Sequence, residues 1–231
     1  MCRYPDEFPN VTVRLGGFNV LMSYLGSIGT IMNGSGLREA ISTIYAPNSL
    51  DSMFNGNAYY RAVRGHFLIH FTLTKRLLES NNFEFSVEEL TNIQELLLDF
   101  ENEPPKFEQL SESNSLLSIN NKFDDFLDNI SKRGETAKLW IQYIRMINVL
   151  KSFIRAERIG DWHLHLQAIR NMLPYFQASG HHLYSKSAHL YLQDMLQLPS
   201  KLNPEDFIIT SFLVNSQFGA QINSGQACGQ T

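Results

Sequence analysis

Histidines are the residues of this chain whose type and spacing best suit metal chemistry. His66 and His70 stand one helical turn apart, a spacing that holds zinc on a helix face in metalloproteases. Those enzymes carry a general-base glutamate directly after the first histidine, whereas residue 67 is Phe. His163 and His165 are two apart and therefore face different sides of a helix. No third ligand follows either pair at a zinc-binding spacing, so we predict no metal site and no cofactor, and interpret the histidines as packed or surface residues.

Two glycine-containing segments superficially resemble catalytic or phosphate-binding motifs. Residues 34–36 read Gly-Ser-Gly but lack the lysine and hydroxyl residue with which a P-loop holds phosphates, and no predicted strand precedes them. Residues 25–29 contain a serine between glycines, but a nucleophile elbow needs a strand before the serine and a residue between glycine and serine. We interpret both segments as glycines that let another helix approach closely. No catalytic residue is predicted.

One group of cations remains as a candidate binding surface. Lys151, Arg155 and Arg158 fall within about 60° of arc on a helix that turns about 100° per residue. Trp140 lies on the same face, where its indole is suited to stack on a base. Cations so placed suit phosphates or acidic partners, so these four residues form the predicted nucleic-acid-binding surface. The alternative is a solvated flank that faces an acidic part of the chain.

The elements that would position these residues are almost all helical. Apolar residues at 143, 147, 150 and 154 recur at steps of four and three, the seam of a packed helix over residues 135–158. Ser86 and Glu89 form a capping box that starts a helix over 87–101. Asp161 caps a helix that ends near residue 176, with Pro174 as a kink or a stop. Further helices are predicted over 18–32, 37–45, 57–80, 116–131 and 182–197, and after residue 204.

A single strand is predicted at the N-terminus. Residues 11–15 alternate and are β-branched, and they end at two glycines. A lone strand leaves its backbone groups without partners, so either it pairs outside this chain or upstream sequence is missing. We therefore expect an essentially all-α fold, an irregular multi-helix domain with one N-terminal β-strand.

Charge divides the sequence into three parts. Residues 1–80 carry 7 basic and 5 acidic groups, residues 81–135 carry 4 and 13, and residues 136–231 carry 8 and 5. The middle part also contains a Pro-Pro pair and a Ser- and Asn-rich run, which are typical of an exposed connection. We predict a single helical domain over 1–200 with an acidic insert at 81–135, flexible at about 102–115, and a short helix and disordered tail over 201–231.

Composition excludes several classes of protein. Hydrophobic residues make up 43% of the chain and charged residues 18%, a composition typical of globular proteins. The net charge is -4, whereas a dedicated nucleic-acid-binding protein has a basic surface. Cys2 and Cys228 give no disulfide framework, and the N-terminus lacks a signal peptide. The uncharged residues 15–37 are interrupted by polar side chains and a turn signal. We expect an intracellular protein, nuclear or cytoplasmic, without a membrane segment.

Several segments are similar in sequence to a known group of proteins and occur in the same order. They are VRLGGFNVLMSYLGSIG at 13–29, RAVRGH at 61–66, FIRAER at 153–158, GDWHLHL at 160–166 and MLPYF at 172–176. On these segments the chain resembles an uncharacterised animal protein family derived from mobile elements, over about residues 10–200 with gaps in the acidic insert. That family is similar to transposases with an RNase-H-like fold, and it usually has His where this chain has Asn19. The resemblance implies a truncated copy with more sequence before the strand.

Two functions follow as hypotheses. An RNase-H-like transposase needs several carboxylates, the first on a strand, to hold two metal ions, and residues 11–15 contain no acid. The resemblance therefore implies a non-catalytic remnant of a transposase-like protein that binds nucleic acid weakly at most. The alternative is a helical module that binds another protein chain and has no nucleic-acid role. Salt-sensitive retention on DNA would favour the first, and salt-insensitive co-purification with a protein would favour the second.

Overall fold

The fold is described by a computed structural model for residues 15–81, 83–102 and 114–201. These residues are mostly helical and contain no strand, which confirms the all-α class for this part of the chain. The nine helices of the described residues are α1 (Gly17–Ile31), α2 (Leu37–Ser42), α3 (Pro47–Phe54), α4 (Tyr59–Ser80), α5 (Val87–Asn102), α6 (Asn114–Ser131), α7 (Glu135–Ile159), α8 (Trp162–Ala178) and α9 (His182–Lys201).

Three of the sequence predictions concern residues outside this description. Of the strand predicted over 11–15, only Leu15 is described, and it lies in neither a helix nor a strand. Residues 103–113, which contain most of the segment predicted to be flexible, lie outside the described residues. The same holds for the helix and tail predicted after residue 201.

Local side-chain chemistry explains where several helices begin and end. At the start of α5 the Ser86 backbone N–H donates to Glu89 Oε2 at 2.7 Å, and the Glu89 N–H donates to Ser86 Oγ at 3.1 Å, which confirms the capping box. Asp161 Oδ1 accepts the Leu164 N–H at 2.8 Å and so caps α8. Gly160, at φ +76°, ends α7 in the left-handed conformation that glycine adopts without strain.

Two prolines lie close to helix boundaries that differ from the predicted ones. The helix predicted over 37–45 ends at Ser42 as α2, and Pro47 is the first residue of α3, where its missing N–H needs no partner within the helix. The helix α3 itself was not predicted. Pro174 lies inside α8, which continues to Ala178 rather than stopping near residue 176.

The described residues form two compact units. Residues 15–69 and 145–201 belong to the first unit and residues 70–144 to the second, so α4 and α7 each continue from one unit into the other. In the first unit α8 packs against α1 and α9, and α1 also packs against α3. The Tyr24 hydroxyl donates to the Met146 carbonyl at 3.2 Å inside this core. The predicted seam of α7 is confirmed, because its four apolar residues are all buried.

Two glycines of α1 face the end of α3. A Cβ on Gly29 would overlap the Phe54 carbonyl, whereas a Cβ on Gly26 would lie 3.5 Å from the Asn55 carbonyl, an ordinary contact. The interpretation of residues 25–29 as helix-packing glycines is therefore right. At Gly34 and Gly36 it is wrong, because nothing lies within 4 Å of an added Cβ and both residues have positive φ, as turn glycines do.

The second unit has its own apolar cluster. Buried residues of α6 and α7 form its centre, and half-buried residues of α4 and α6 pack around them; the buried ones are Leu127, Ile130, Ile141 and Ile144. Beside this cluster Lys122 donates to Glu89 Oε2 at 2.6 Å and to the Glu84 carbonyl at 2.9 Å. This charge-assisted bond lowers the pKa of Glu89, and the Ser86 N–H adds to the effect.

The uncharged segment at 15–37 folds as α1 followed by a turn. Among the described helices, none is both long enough and apolar enough to cross a membrane.

Candidate functional site

An open groove in the first unit lies between α4 and α7. Its volume is about 430 Å³, within the range of pockets that hold small organic ligands. The groove is lined by aromatic, aliphatic and arginine side chains: Tyr59, Tyr60, Val63, Arg64, Phe67, Leu68, Ile154 and Arg158. Six of these eight residues come from α4, so spacing on that one helix accounts for most of the lining.

Two tyrosines of the groove differ in their exposure. Tyr59 is buried, with its ring edge-to-face against Phe18 at a centroid distance of 5.4 Å, and burial raises its pKa although nearby Arg158 opposes the shift. Tyr60 packs edge-to-face on Tyr59 at 5.0 Å and leaves 46% of its surface exposed. Tyr60 is therefore the tyrosine that presents aromatic surface to a ligand.

The cations of the groove are not neutralised by its lining. Arg64 and Arg158 are exposed, and none of the ion pairs among the described residues involves either of them. Lys151 lies beside the groove, with its ammonium 5.6 Å from the centroid of the Phe67 ring, a cation–π distance. Burial lowers the pKa of Lys151. Among the described residues, none that lines the groove is acidic, so this part of the surface is locally positive on a chain of net charge -4.

The four residues of the predicted nucleic-acid-binding surface have different positions. Arg158 lines the groove, and Lys151 reaches Phe67 in its wall. Arg155 is exposed on the same helix but does not line the groove. Trp140 belongs to the second unit, where it packs edge-to-face on Tyr143 at 5.6 Å.

Sequence reasoning missed the α4 side of the groove. Tyr60, Arg64 and Phe67 recur at steps of four and three, which places them on one face of a helix. That signal of mixed aromatic and basic residues was present in the sequence. The pattern does not show which helix packs beside this face, because α7 is about 90 residues further along the chain.

The histidines pack inside the protein or lie on its surface. His66 is buried beside the Phe54 ring, and burial lowers its pKa from 6.5 to about 4. His70 and His165 are also buried, whereas His163 is exposed. In the ranges that the structure describes, no three residues of the types His, Cys, Asp and Glu lie close enough together to hold a metal ion.

A carboxylate, an imidazole and a phenol form a buried line. Glu157 Oε1 lies 2.5 Å from His165 Nδ1, and His165 Nε2 lies 3.1 Å from the Tyr191 hydroxyl. This order of groups resembles a proton relay. Their exposed fractions are only 2%, 2% and 5%, so substrate has no access to them. We interpret the line as a structural link between α7, α8 and α9.

The first residue of α1 accounts for the position of the buried glutamate. A Cβ on Gly17 would lie 2.6 Å from Glu157 Oε2, so a larger residue at this position would require the carboxylate to shift. Gly17 begins α1, and the N-terminus of a helix carries partial positive charge that stabilises an anion. Glu157 was missed as a core residue, although it continues the seam of α7 three residues after Ile154.

A second polar group joins α1 to the connection between α8 and α9. The Ser179 hydroxyl lies 2.8 Å from Ser27 Oγ and 2.9 Å from His181 Nδ1. Ser27 also donates to the Ser23 carbonyl at 3.0 Å. A serine whose proton is engaged by a backbone carbonyl is not activated as a nucleophile. The hydrogen bonds described here give His181 no carboxylate partner to orient it.

A smaller cavity of about 280 Å³ lies at the turn after α1. Gly34 and Arg38 line it together with Asp51, whose Oδ1 is 2.7 Å from Arg38 Nη2. The Arg38 guanidinium also lies 5.9 Å from the centroid of the Phe54 ring. Because a carboxylate already engages this arginine and would repel an anion, the cavity does not form the phosphate site that residues 34–36 superficially suggest.

The described residues thus define a class: a helical protein with an aromatic and basic groove. A family model with the description Domain of unknown function (DUF8702) matches residues 1–229, and the chain belongs to this family. Neither the curated proteins nor the solved structures that were compared with it include a significant match.

Proposed function

We propose that this protein is a non-catalytic, intracellular remnant of a mobile-element, transposase-like protein that binds nucleic acid weakly through the groove. The observation that carries the proposal is the pair of exposed arginines, Arg64 and Arg158, on a groove with exposed aromatic surface and no acidic residue among its described lining. The proposed descent is supported by the sequence resemblance alone. The strand over residues 11–15 is proposed from its alternating, β-branched sequence.

Electrostatics favours a polyanion as the ligand. Arginine binds phosphate oxygens with two parallel hydrogen bonds, and sites for nucleic acids combine such cations with aromatic rings. Lys151 adds a third cation beside the groove. Three phosphate contacts give only weak, sequence-independent affinity, and the net charge of -4 does not assist long-range attraction.

A non-catalytic role is supported by the placement of the reactive groups. Glu157, His165 and Tyr191 are buried, and the described residues that line the groove include no carboxylate, histidine, serine or cysteine. A binding reaction needs only the cations and aromatic surface that the groove does present.

The second candidate is a protein-binding module. Leu68, which is exposed, together with Val63 and Ile154, gives the groove an apolar component that an amphipathic partner helix could cover. Binding of this kind would persist at high salt, because apolar contacts are not screened.

The test is a charge-removal experiment on the full chain. We expect Arg64→Ala/Arg158→Ala to abolish binding of a labelled oligonucleotide at low salt, as measured by fluorescence anisotropy. The control is Arg133→Ala/Arg170→Ala, which removes two exposed arginines that do not line the groove. Absence of binding by the unchanged protein at low salt, or equal loss in both variants, would overturn the proposal.

A further inference from the structure

We infer that the groove selects single-stranded nucleic acid, by stacking an unpaired base on Tyr60 while Arg64 and Arg158 contact the flanking phosphates. This inference rests on the proposed function and specifies the substrate class of the same site.

The shape of the site favours an unpaired base over a duplex. Duplex DNA is read by a helix or ribbon that protrudes into a groove of the DNA, whereas this site is itself concave. Within a duplex the faces of the bases are covered by their neighbours, and only the edges are accessible. A concave aromatic site of about 430 Å³ instead accepts a base that has left its stack.

The chemistry of the lining also favours the face of a base over its edge. Apart from the two arginines, the side chains that line the groove are aromatic or aliphatic, with the tyrosine hydroxyls as their only polar groups. Reading a base edge needs an array of donors and acceptors, which these side chains do not provide. Stacking needs only an exposed ring, and it tolerates every base.

Among the rings of the groove, Tyr60 is the one suited to stack. Tyr59 is buried, and Phe67 is half-buried with the Lys151 ammonium over its ring. Tyr60 exposes 46% of its surface and is braced edge-to-face by Tyr59. A braced ring loses little conformational freedom when a base packs on it, which favours binding.

The cations complete the site around that ring. Arg64 follows Tyr60 by four residues and therefore lies one turn further along the same face of α4. Arg158 lies on the α7 side of the groove, so the two guanidinium groups belong to opposite walls. A backbone that crosses the groove meets one arginine on each side of the base that it inserts.

The experiment measures affinities of the full chain for three matched ligands at one low salt concentration. They are a single-stranded oligonucleotide, the same strand with abasic sites, and the corresponding duplex, each read by anisotropy. We expect the single strand to bind most tightly and the abasic strand to bind roughly tenfold more weakly, the loss of one stacked base.

Variants of one residue then locate the stacking. Tyr60→Leu should weaken binding of the single strand by a similar factor and leave the affinity for the abasic strand unchanged. Tyr60→Phe should bind the single strand with normal affinity, because it keeps the ring. Phe71→Leu is the matched control, since Phe71 is an aromatic residue of the same helix that exposes 67% of its surface and does not line the groove.

The outcomes separate this inference from the proposed function. Equal binding of the intact, abasic and duplex ligands, or an unchanged affinity in Tyr60→Leu, would overturn the inference and leave phosphate binding intact. Absence of binding to every ligand would overturn both. Melting curves check that Tyr60→Leu is folded, and if it is not, the abasic comparison with the unchanged protein decides.

Discussion

At the scale of single residues, glycines allow two helix backbones to approach each other closely. These glycines differ in whether an added Cβ would overlap the neighbouring backbone. Gly26 and Gly29 lie on the same side of α1 near the end of α3, but only Gly29 has a carbonyl where its Cβ would be. A main-chain oxygen does not rotate away as a flexible side chain does. The two positions should therefore respond in opposite directions to the same added methyl group.

We expect Gly29→Ala to lower the free energy of unfolding by about 1–3 kcal/mol, because α1 and α3 must separate. Gly26→Ala should be neutral or stabilise by up to about 1 kcal/mol, since alanine favours a helix and meets only ordinary contacts. Chemical denaturation of both variants checks this pair. A destabilised Gly26→Ala with an unaffected Gly29→Ala would contradict the packing described for α1 and α3.

His66 makes the stability of the protein depend on pH. Burial lowers its pKa from 6.5 to about 4, so the folded state keeps it neutral while the unfolded state takes up a proton below about pH 6.5. Stability from this group is therefore fully present above pH 6.5 and is lost as the pH falls towards 4. The shift corresponds to about 3 kcal/mol over that window.

The measurement compares His66→Gln with the unchanged chain by denaturation at pH 7 and pH 4.5. The variant should lose less stability on acidification, whereas His163→Gln, a change at an exposed histidine, should behave like the unchanged chain. An identical pH dependence in all three proteins would show that His66 is not the group that titrates.

At the scale of elements, α5 and α8 begin where a side chain accepts an otherwise unpaired backbone N–H. Asp161 does so for α8, which carries His165 and packs against both α1 and α9. Loss of this cap should therefore destabilise the first unit. Asp161 itself is half-buried and takes part in none of the described ion pairs, so its hydrogen bond to Leu164 is the interaction that a substitution removes.

We expect Asp161→Ala to destabilise the protein by about 1 kcal/mol, while Asp161→Asn, which keeps an oxygen acceptor at the same place, should retain most of the stability. Denaturant midpoints of the two variants give the comparison. Equal loss in both would indicate that the charge of Asp161 matters rather than its hydrogen bond to Leu164.

At the scale of the whole molecule, a locally positive groove belongs to a chain of net negative charge. The 19 basic residues are outnumbered by 23 acidic ones, of which 13 lie in the segment 81–135. The proposed phosphate binding at Arg64, Arg158 and Lys151 would therefore act at short range. Such binding should weaken steeply with salt, because screening and counterion release act on every phosphate contact.

Three contacts predict a slope of about -2 to -3 for the logarithm of the binding constant against the logarithm of salt concentration. Affinity for a single strand should then fall about 100-fold between about 20 and about 150 mM KCl, to below detection near physiological salt. Anisotropy titrations across that range provide the measurement. Tight binding at physiological salt would place the interface elsewhere on the protein.

Sequence patterns by themselves determined most of the helices, because local chemistry starts and stops them. The capping box of α5, the Asp161 cap of α8 and the buried seam of α7 were all predicted from spacing, and their side chains behave accordingly. The helix α3, which begins at Pro47, was not predicted, because proline both follows helix ends and begins helices.

Only the tertiary structure decided which helix faces meet. Arg158 and Lys151 were identified from α7 alone, but Tyr60 and Arg64 join them through packing between segments about 90 residues apart. The charge of Glu157 alone suggests an exposed position, but the side chain is buried beside His165 and Gly17. Periodicity along one helix predicts the direction in which each side chain points. The chemical environment around that side chain depends on residues that are distant in sequence.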